Sequence, residues 1–184
     1  SQITNQISST QAGYWTAILF VSKNYMVFST GLFTLYVIPR FAGIYSFQGF
    51  KKEVLYIYKT ILPFFAVGMI LIYIFRMLII DVVYPGFFGM EPLFKWQLAA
   101  DFVRLSALVL AHQFLAKKML ISYIITEFIS IILFYVFSKL LLDFYGIEGI
   151  VMAHFFRYVI YFIVVVIAIW IHFNNNKNPL SQAV

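Results

Sequence analysis

Five long runs of apolar residues constrain the fold of this chain more than any other feature of its sequence. Each run has about 20 to 25 residues, the length that an α-helix needs to cross a hydrocarbon core about 30 Å thick. A transmembrane β-barrel would show alternating apolar and polar residues instead of continuous apolar runs. We therefore predict an all-α, polytopic membrane protein with five transmembrane helices. The predicted spans are residues 14–38, 61–80, 94–116, 119–142 and 150–173.

The composition agrees with a membrane protein and excludes several other classes. Of the 184 residues, 63% are hydrophobic, 21% are aromatic and only 11% are charged, whereas a soluble domain is near 45–50% apolar and about 25% charged. The chain has no cysteine, which rules out a disulfide framework or a thiolate metal site. The net charge of +6 does not indicate nucleic-acid binding, because most of the excess lies in short loops.

The segments outside the spans are short and polar. Residues 1–13 carry no charge and lack the features of a signal peptide, so we expect them to be the outer end of a truncated loop, and the chain to be a fragment of a longer protein. Residues 174–184 are predicted to form a polar cytoplasmic tail. Residues 40–60 fit either an amphipathic helix at the membrane interface or the first turns of the second span.

The loop charges predict the orientation in the membrane. One side carries seven cations, while the other carries only Lys95 together with several acidic residues. Cytoplasmic loops are the ones enriched in Lys and Arg, so we expect the amino terminus outside and the carboxyl terminus in the cytoplasm. The seven cations are Arg40, Lys51, Lys52, Lys59, Lys117, Lys118 and Lys177.

The third span carries charged and titratable residues in its interior: Asp101, Arg104 and His112. Asp101 and Arg104 share one helix face because they are three residues apart. A charge at membrane depth is costly and usually marks a functional or paired position. Counted from the outer interface, Lys23, Arg104 and Arg157 lie roughly 10–17 Å deep, and Asp101 is about one turn shallower.

Three cations and one anion at similar depth predict a wet cavity with excess positive charge. A guanidinium can bind phosphate oxygens in a bidentate way, so this cavity suits a phosphate or an acidic sugar. We assign substrate binding to Lys23, Arg104, Arg157 and Asp101, and expect Asp101 to hold Arg104 or Lys23 when the cavity is empty. The alternative is that Asp101 and Arg104 only pair along their helix while Lys23 and Arg157 join helices.

Two further groups are candidates for ion coupling. Glu127 and His112 could carry protons, as intramembrane carboxylates and histidines do in coupled transporters. Arg76 lies near the end of its span, where Asp81 could pair with it. Lys139 and His172 are close enough to the interfaces to extend their polar ends into the headgroup region.

Motifs of known enzyme classes are absent from the sequence. It contains no HExxH, no GxSxG and no phosphate-binding glycine loop. Its three histidines do not have the spacing of a metal site. We therefore predict no enzymatic activity, no catalytic residue, no metal and no cofactor.

Five short segments of the sequence are distinctive. They are QAGYW at 11–15, KNYM at 23–26, YVIPRF at 36–41, LFKWQLAADFVR at 93–104 and LAKKM at 115–119. Together they resemble the O-antigen translocases and lipid III flippases, a family of polysaccharide flippases in the multidrug/oligosaccharidyl-lipid/polysaccharide exporter superfamily. Their order and spacing also match this family, and the similarity covers roughly residues 11–173.

The resemblance implies a fold of about twelve helices in two bundles of six, with these five spans similar to helices eight to twelve. An eighth helix starts outside, in agreement with the loop charges. Asp101 falls in the WQL-xx-D motif of the family, and Arg104 occupies a position that is often basic. The family commonly has arginine followed by aspartate at the end of the second span, whereas this chain has Arg76 followed by Met77.

The resemblance also implies a function. Family members move undecaprenyl-pyrophosphate-linked oligosaccharides from the inner to the outer leaflet of the bacterial inner membrane. The expected partners are that lipid-linked oligosaccharide, membrane lipids, the missing N-terminal bundle of the same protein and a glycan polymerase or ligase, with no nucleic acid. Two alternatives remain open: a multidrug exporter of the same superfamily, and a non-transporting scaffold of a glycan-assembly complex.

Overall fold

The computed structural model describes residues 9–175, and the described part of the chain is helical with no strand. The all-α prediction is therefore confirmed. The helices are α1 (Ser9–Ala42), α2 (Phe47–Thr60), α3 (Leu62–Ile74), α4 (Arg76–Val83), α5 (Leu93–Ala116) and α6 (Leu120–Asn175), and a short 3-10 turn (Phe88–Met90) precedes α5.

Helix α5 lies at the centre of the bundle, and α1, α3 and α6 pack around it. Fourteen of its 24 residues are buried, and its bounds differ by one residue from the predicted span 94–116. The small side chains of Ala100, Ala107 and Ala111 are buried on this helix. Small residues let neighbouring helices approach closely, which drives helix association where lipid gives no hydrophobic effect.

Helix α6 is a hairpin rather than a straight rod. Gly146 has φ 55° and ψ −136°, a left-handed backbone that favours glycine, and the chain reverses direction there. The two arms, residues 120–145 and 147–175, pack against each other, as the 4.4 Å between the ring centroids of Phe134 and His154 indicates. A β-carbon at Gly149 would overlap the backbone carbonyl of Leu141, so glycine is needed for the arms to meet.

The hairpin explains why the number of candidate spans differs from the prediction. Four helical stretches in the described part of the chain are long and apolar enough to cross a membrane, whereas the sequence predicted five spans. The predicted spans 119–142 and 150–173 both fall on α6, one on each arm. The backbone at Gly146 is not helical, so the two arms are separate helices that are counted together as one of the four stretches.

The second predicted span begins earlier than expected. Ser46 caps α2 by accepting a hydrogen bond from the N–H of Gly49 at 3.1 Å. The N–H of Ile61 then donates to the carbonyl of Ile57 at 2.8 Å, so that α2 runs directly into α3. Residues 47–60 thus form a helix of their own that continues into α3, and both alternatives for this segment stay predictions. Pro63 lies in the first turn of α3, where its missing N–H costs little.

Two predicted helix ends were wrong. Helix α1 continues through Pro39 to Ala42, because a proline in the last turn removes only one backbone hydrogen bond. The second span ended at residue 80 in the prediction. Instead the helix breaks at Phe75, and α4 continues to Val83.

Large apolar side chains cover the outside of the bundle. Leu35 and Phe144 are each 81% exposed, and Ile121 is 75% exposed. A soluble monomer rarely exposes apolar surface on this scale, whereas lipid tails would cover it in a membrane. The structure is that of a multi-pass membrane protein. The predicted terminal segments fall largely on residues 1–8 and 176–184, which lie outside the described residues.

Candidate substrate cavity

A cavity of about 670 Å³ lies between α1 and α5 and is bordered by α6. It contains three of the four predicted substrate-binding residues, Lys23, Asp101 and Arg104. Hydroxyl groups add to its polar lining. The polar lining residues are Ser22, Lys23, Thr30 and Thr34 of α1, Gln97, Asp101 and Arg104 of α5, and His154 of α6.

Asp101 is held by three neutral donors. Its side chain is 1% exposed, and its Oδ2 accepts hydrogen bonds from the Ser22 hydroxyl at 2.6 Å, the Gln97 amide at 3.0 Å and the Tyr25 hydroxyl. Gln97 lies one turn before Asp101 on α5, while Ser22 and Tyr25 come from α1. Hydrogen bonds to a carboxylate offset the cost of its burial, so this network also joins α1 to α5.

The expected ion pairs of Asp101 are not formed. Within residues 9–175 the ion pairs are Arg40–Glu53, Arg76–Glu91 and Lys95–Glu148. Asp101 therefore holds neither Arg104 nor Lys23, contrary to the prediction from helix spacing. The reason is geometric, because the hydroxyl groups of α1 reach the carboxylate at hydrogen-bonding distance and Arg104 turns toward α6.

Arg104 and Arg157 meet at the ring of Tyr158. The guanidinium carbon of Arg104 lies 5.5 Å from the ring centroid, and that of Arg157 lies 4.3 Å from it. Arg157 also donates to the Tyr158 hydroxyl and lies 5.1 Å from the ring of Phe134. Such contacts contribute about 0.5–2 kcal/mol each. The two arginines are thus brought together by aromatic side chains, although Arg157 does not line the cavity.

Two buried nitrogen atoms beside this aromatic group have no hydrogen-bond partner among the described residues. They are Nδ1 of His154 and Nε of Arg157. His154 borders the cavity, and its ring lies against Phe134 and Tyr158. A buried polar atom without a partner is costly, so these two nitrogen atoms are free to donate or accept a hydrogen bond beside the cavity.

The two predicted coupling residues lie apart from the cavity lining. Glu127 is half-buried, and its Oε1 accepts a hydrogen bond from the Tyr161 hydroxyl at 2.7 Å, between the two arms of α6. His112 is buried, its Nδ1 lies 2.6 Å from the Leu108 carbonyl, and its ring packs edge-on against Phe33. The contact with a carbonyl identifies Nδ1 as the protonated nitrogen.

The end of the bundle near the turn of α6 has its own charge pairs. Arg76 bonds Glu91 through its Nε at 2.5 Å, so the predicted partner Asp81 was wrong. The Glu148 carboxylate accepts from the Lys95 ammonium at 2.7 Å and from the Trp96 indole N–H at 2.8 Å. This pair fastens the start of α5 to the turn of the α6 hairpin. No group of three His, Asp or Glu side chains that could hold a metal occurs within residues 9–175.

Sequence reasoning missed the neutral residues that position the charges. Gln97 could have been found, because it is four residues before Asp101 and shares its helix face. Ser22 flanks Lys23, but nothing in a one-dimensional pattern indicates that it faces another helix. Tyr158 carries no signal beyond its position next to Arg157.

Comparison with known proteins supports the resemblance seen in the motifs. No family model matches this chain, and no solved structure matches it. The chain is 28% identical over 158 residues to proteins named lipid III flippase from Escherichia coli (strain K12) and from Shigella flexneri. The match covers 85% of this chain but only 38% of each relative. The chain is thus similar, over most of its length, to part of a lipid III flippase, as its motifs predicted.

Proposed function

We propose that the protein containing this chain translocates an undecaprenyl-pyrophosphate-linked oligosaccharide across the bacterial inner membrane. The observation that carries this proposal is the unpaired positive charge at the cavity. Arg104 and Lys23 line it without a carboxylate partner in the described part of the chain, while Asp101 beside them is already held by neutral donors.

In this proposal Arg104 binds the pyrophosphate directly. Its planar guanidinium can donate two parallel hydrogen bonds to phosphate oxygens. Lys23 adds a point charge from the opposite wall, and the hydroxyls of Thr30 and Thr34 face the sugar. Arg157 acts indirectly, because it shares the Tyr158 ring with Arg104 and adds positive potential without lining the cavity.

Movement of the cargo needs a second bundle. Related transporter folds alternate access by rocking one bundle against another around a central site. We propose that the side of the cavity formed by α1 faces the other bundle of the same protein. Lys23 is exposed on that side, so the cargo headgroup would be held between the two bundles while its polyprenyl chain remains in lipid.

Ion coupling is proposed for Glu127 rather than for His112. Glu127 is half-buried within the membrane region, with a single hydroxyl donor, so a change in its protonation would alter the contact between the arms of α6. His112 is a weaker candidate, because its Nδ1 is engaged by its own helix and its ring is enclosed by the core.

The orientation follows from the loop charges. We propose an external amino terminus and a cytoplasmic carboxyl terminus in the inner membrane. A reporter fused after Val184 should therefore report the cytoplasm. Periplasmic activity of that reporter would reverse the assignment of the two faces.

The decisive experiment is complementation of a flippase-null strain by the full-length protein. Restoration of surface glycan in wild type, with loss on replacing Arg104, supports the proposed function. Drug resistance without glycan would favour the multidrug exporter. Full glycan with Lys23, Arg104 and Arg157 all replaced would favour the scaffold, because a scaffold does not need cavity charge.

A further inference from the structure

A second cavity lies at the opposite end of the bundle from the α6 turn. It is a groove of about 350 Å³ between α2 and the second arm of α6, with Leu110 of α5 behind it. Its lining is apolar apart from Lys51. The groove follows residues 47–54 of α2, roughly 10 Å of helix, and is large enough to hold part of an acyl chain.

Unpaired positive charge borders this groove. Lys51 and Lys52 are consecutive and exposed on α2, and within residues 9–175 neither forms an ion pair. The neighbouring carboxylate of Glu53 is already bonded to Arg40 at 2.5 Å. Lys117 adds a third cation close by, since its ammonium donates to the carbonyl of Ala42, just before α2, at 2.8 Å.

Aromatic side chains place the groove at the level of the lipid headgroups. Trp170 lines it and is 56% exposed, and tryptophan is enriched where a membrane meets water. The rings of Phe47 and Phe50 lie 5.7 and 5.5 Å from the ring of Phe173. An apolar groove, an interfacial tryptophan and a basic border therefore coincide on one side of α2.

We propose that this groove binds an anionic phospholipid, with one acyl chain along α2 and the headgroup phosphate on Lys51 and Lys52. Charge complementarity selects this occupant. A zwitterionic lipid would neutralise less of the lysine charge, and an apolar helix from another part of the protein would leave both lysines unpaired. Juxtamembrane basic residues attract anionic lipids in this way. The proposal does not depend on the cargo of the transporter.

Native mass spectrometry of the full-length protein in a neutral detergent tests this. The protein is titrated with phosphatidylglycerol and, separately, with phosphatidylcholine of the same acyl chains. We expect tighter binding of phosphatidylglycerol. Lys51→Glu should weaken it by about fivefold or more, whereas the matched control Lys139→Glu, an exposed lysine on the first arm of α6, should leave it unchanged.

A second variant tests the acyl-chain part of the site without changing charge. Val166 lines the groove and is 43% exposed, so Val166→Trp fills the groove from its open side. We expect this variant to lose phosphatidylglycerol as well. Equal binding of the two lipids, an equal loss in Lys139→Glu, or full binding by Val166→Trp would each overturn the proposal. So would wild-type protein that binds no phosphatidylglycerol, since the groove would then be filled by protein.

Discussion

The bundle contains two polar clusters that differ in how they stabilise charged side chains. Asp101 is buried with three neutral donors on one of its oxygens. Arg104 and Arg157 instead lie against the ring of Tyr158 and have no carboxylate within ion-pair distance in the described part of the chain. In the first cluster the charged group has three donors, whereas in the second the guanidinium groups have no carboxylate acceptor among the described residues. The Asp101 network joins α1 to α5, whereas Arg104 of the second cluster lines the cavity without an ion pair among the described residues.

The two arrangements also differ in energy. A buried carboxylate costs several kcal/mol unless it is hydrogen-bonded, so the Asp101 network is needed for α1 and α5 to pack. An aromatic ring stabilises a guanidinium by only about 0.5–2 kcal/mol and does not occupy its N–H donors. If the proposed function holds, a phosphate in the cavity can therefore bind Arg104 without first breaking an ion pair.

Loss of Asp101 should produce the largest change in stability. Asp101→Leu leaves the donors from Ser22, Tyr25 and Gln97 without their shared acceptor inside the bundle. Unsatisfied buried groups cost about 1–3 kcal/mol each, so we expect a loss of about 3 kcal/mol or more, read as a lower thermal unfolding midpoint in detergent.

A single-donor variant provides the control for that measurement. Ser22→Ala removes one of three hydrogen bonds and should cost only about 1 kcal/mol. If Asp101→Leu is as stable as wild type, the carboxylate does not hold α1 to α5 and the contrast between the clusters is lost.

Replacement of Tyr158 should cause a loss of stability between those of the other variants. Tyr158→Leu removes the ring shared by Arg104 and Arg157, and we expect a loss of about 1–2 kcal/mol together with weaker transport. Tyr158→Phe keeps the ring and loses only the hydroxyl that accepts from Arg157, so its effect should be smaller. Equal effects of the two variants in the same unfolding and transport assays would show that the ring does not position the arginines.

These clusters also show what the sequence could and could not predict. The apolar runs predicted the helical membrane fold and the bounds of α5, because burial in lipid acts on each run locally. The charges at 23, 101, 104 and 157 were identified by their cost in a membrane. The partners of these charges were not identified. Ser22, Tyr25 and Tyr158 reach them from neighbouring helices, and neutral polar residues have no spacing in the sequence that indicates such a contact.

The same limit applies to the ends and turns of helices. The predicted spans 119–142 and 150–173 implied a break between them, but not that the turn would rest on the left-handed backbone of Gly146. Arg76 was assigned to Asp81 by proximity in sequence. Its partner Glu91 lies 15 residues away and reaches it only because the segment after α4 folds back.

Replacement of Glu127 should give the smallest change in stability. Glu127→Gln keeps an oxygen that can accept from Tyr161, so we expect a loss below about 1 kcal/mol. The transport rate of the full-length protein should nevertheless lose part of its pH dependence, because the carboxyl group proposed for ion coupling is gone. Tyr161→Phe serves as a control that removes the hydrogen bond and keeps the carboxylate. An unchanged pH profile in Glu127→Gln would leave this residue with a packing role only.

Replacement of Arg104 by lysine tests most directly whether its free guanidinium binds the cargo. Lysine keeps the charge and reach but loses the bidentate fork, and no ion pair of Arg104 in the described part of the chain would be broken. The measurement is surface glycan in a flippase-null strain, normalised to the amount of full-length protein in the membrane. We expect Arg104→Lys to insert at normal levels and lose most of its activity. Full restoration of glycan by both Arg104→Lys and Arg104→Ala would contradict a phosphate-binding role and leave Arg104 as a contact between helices.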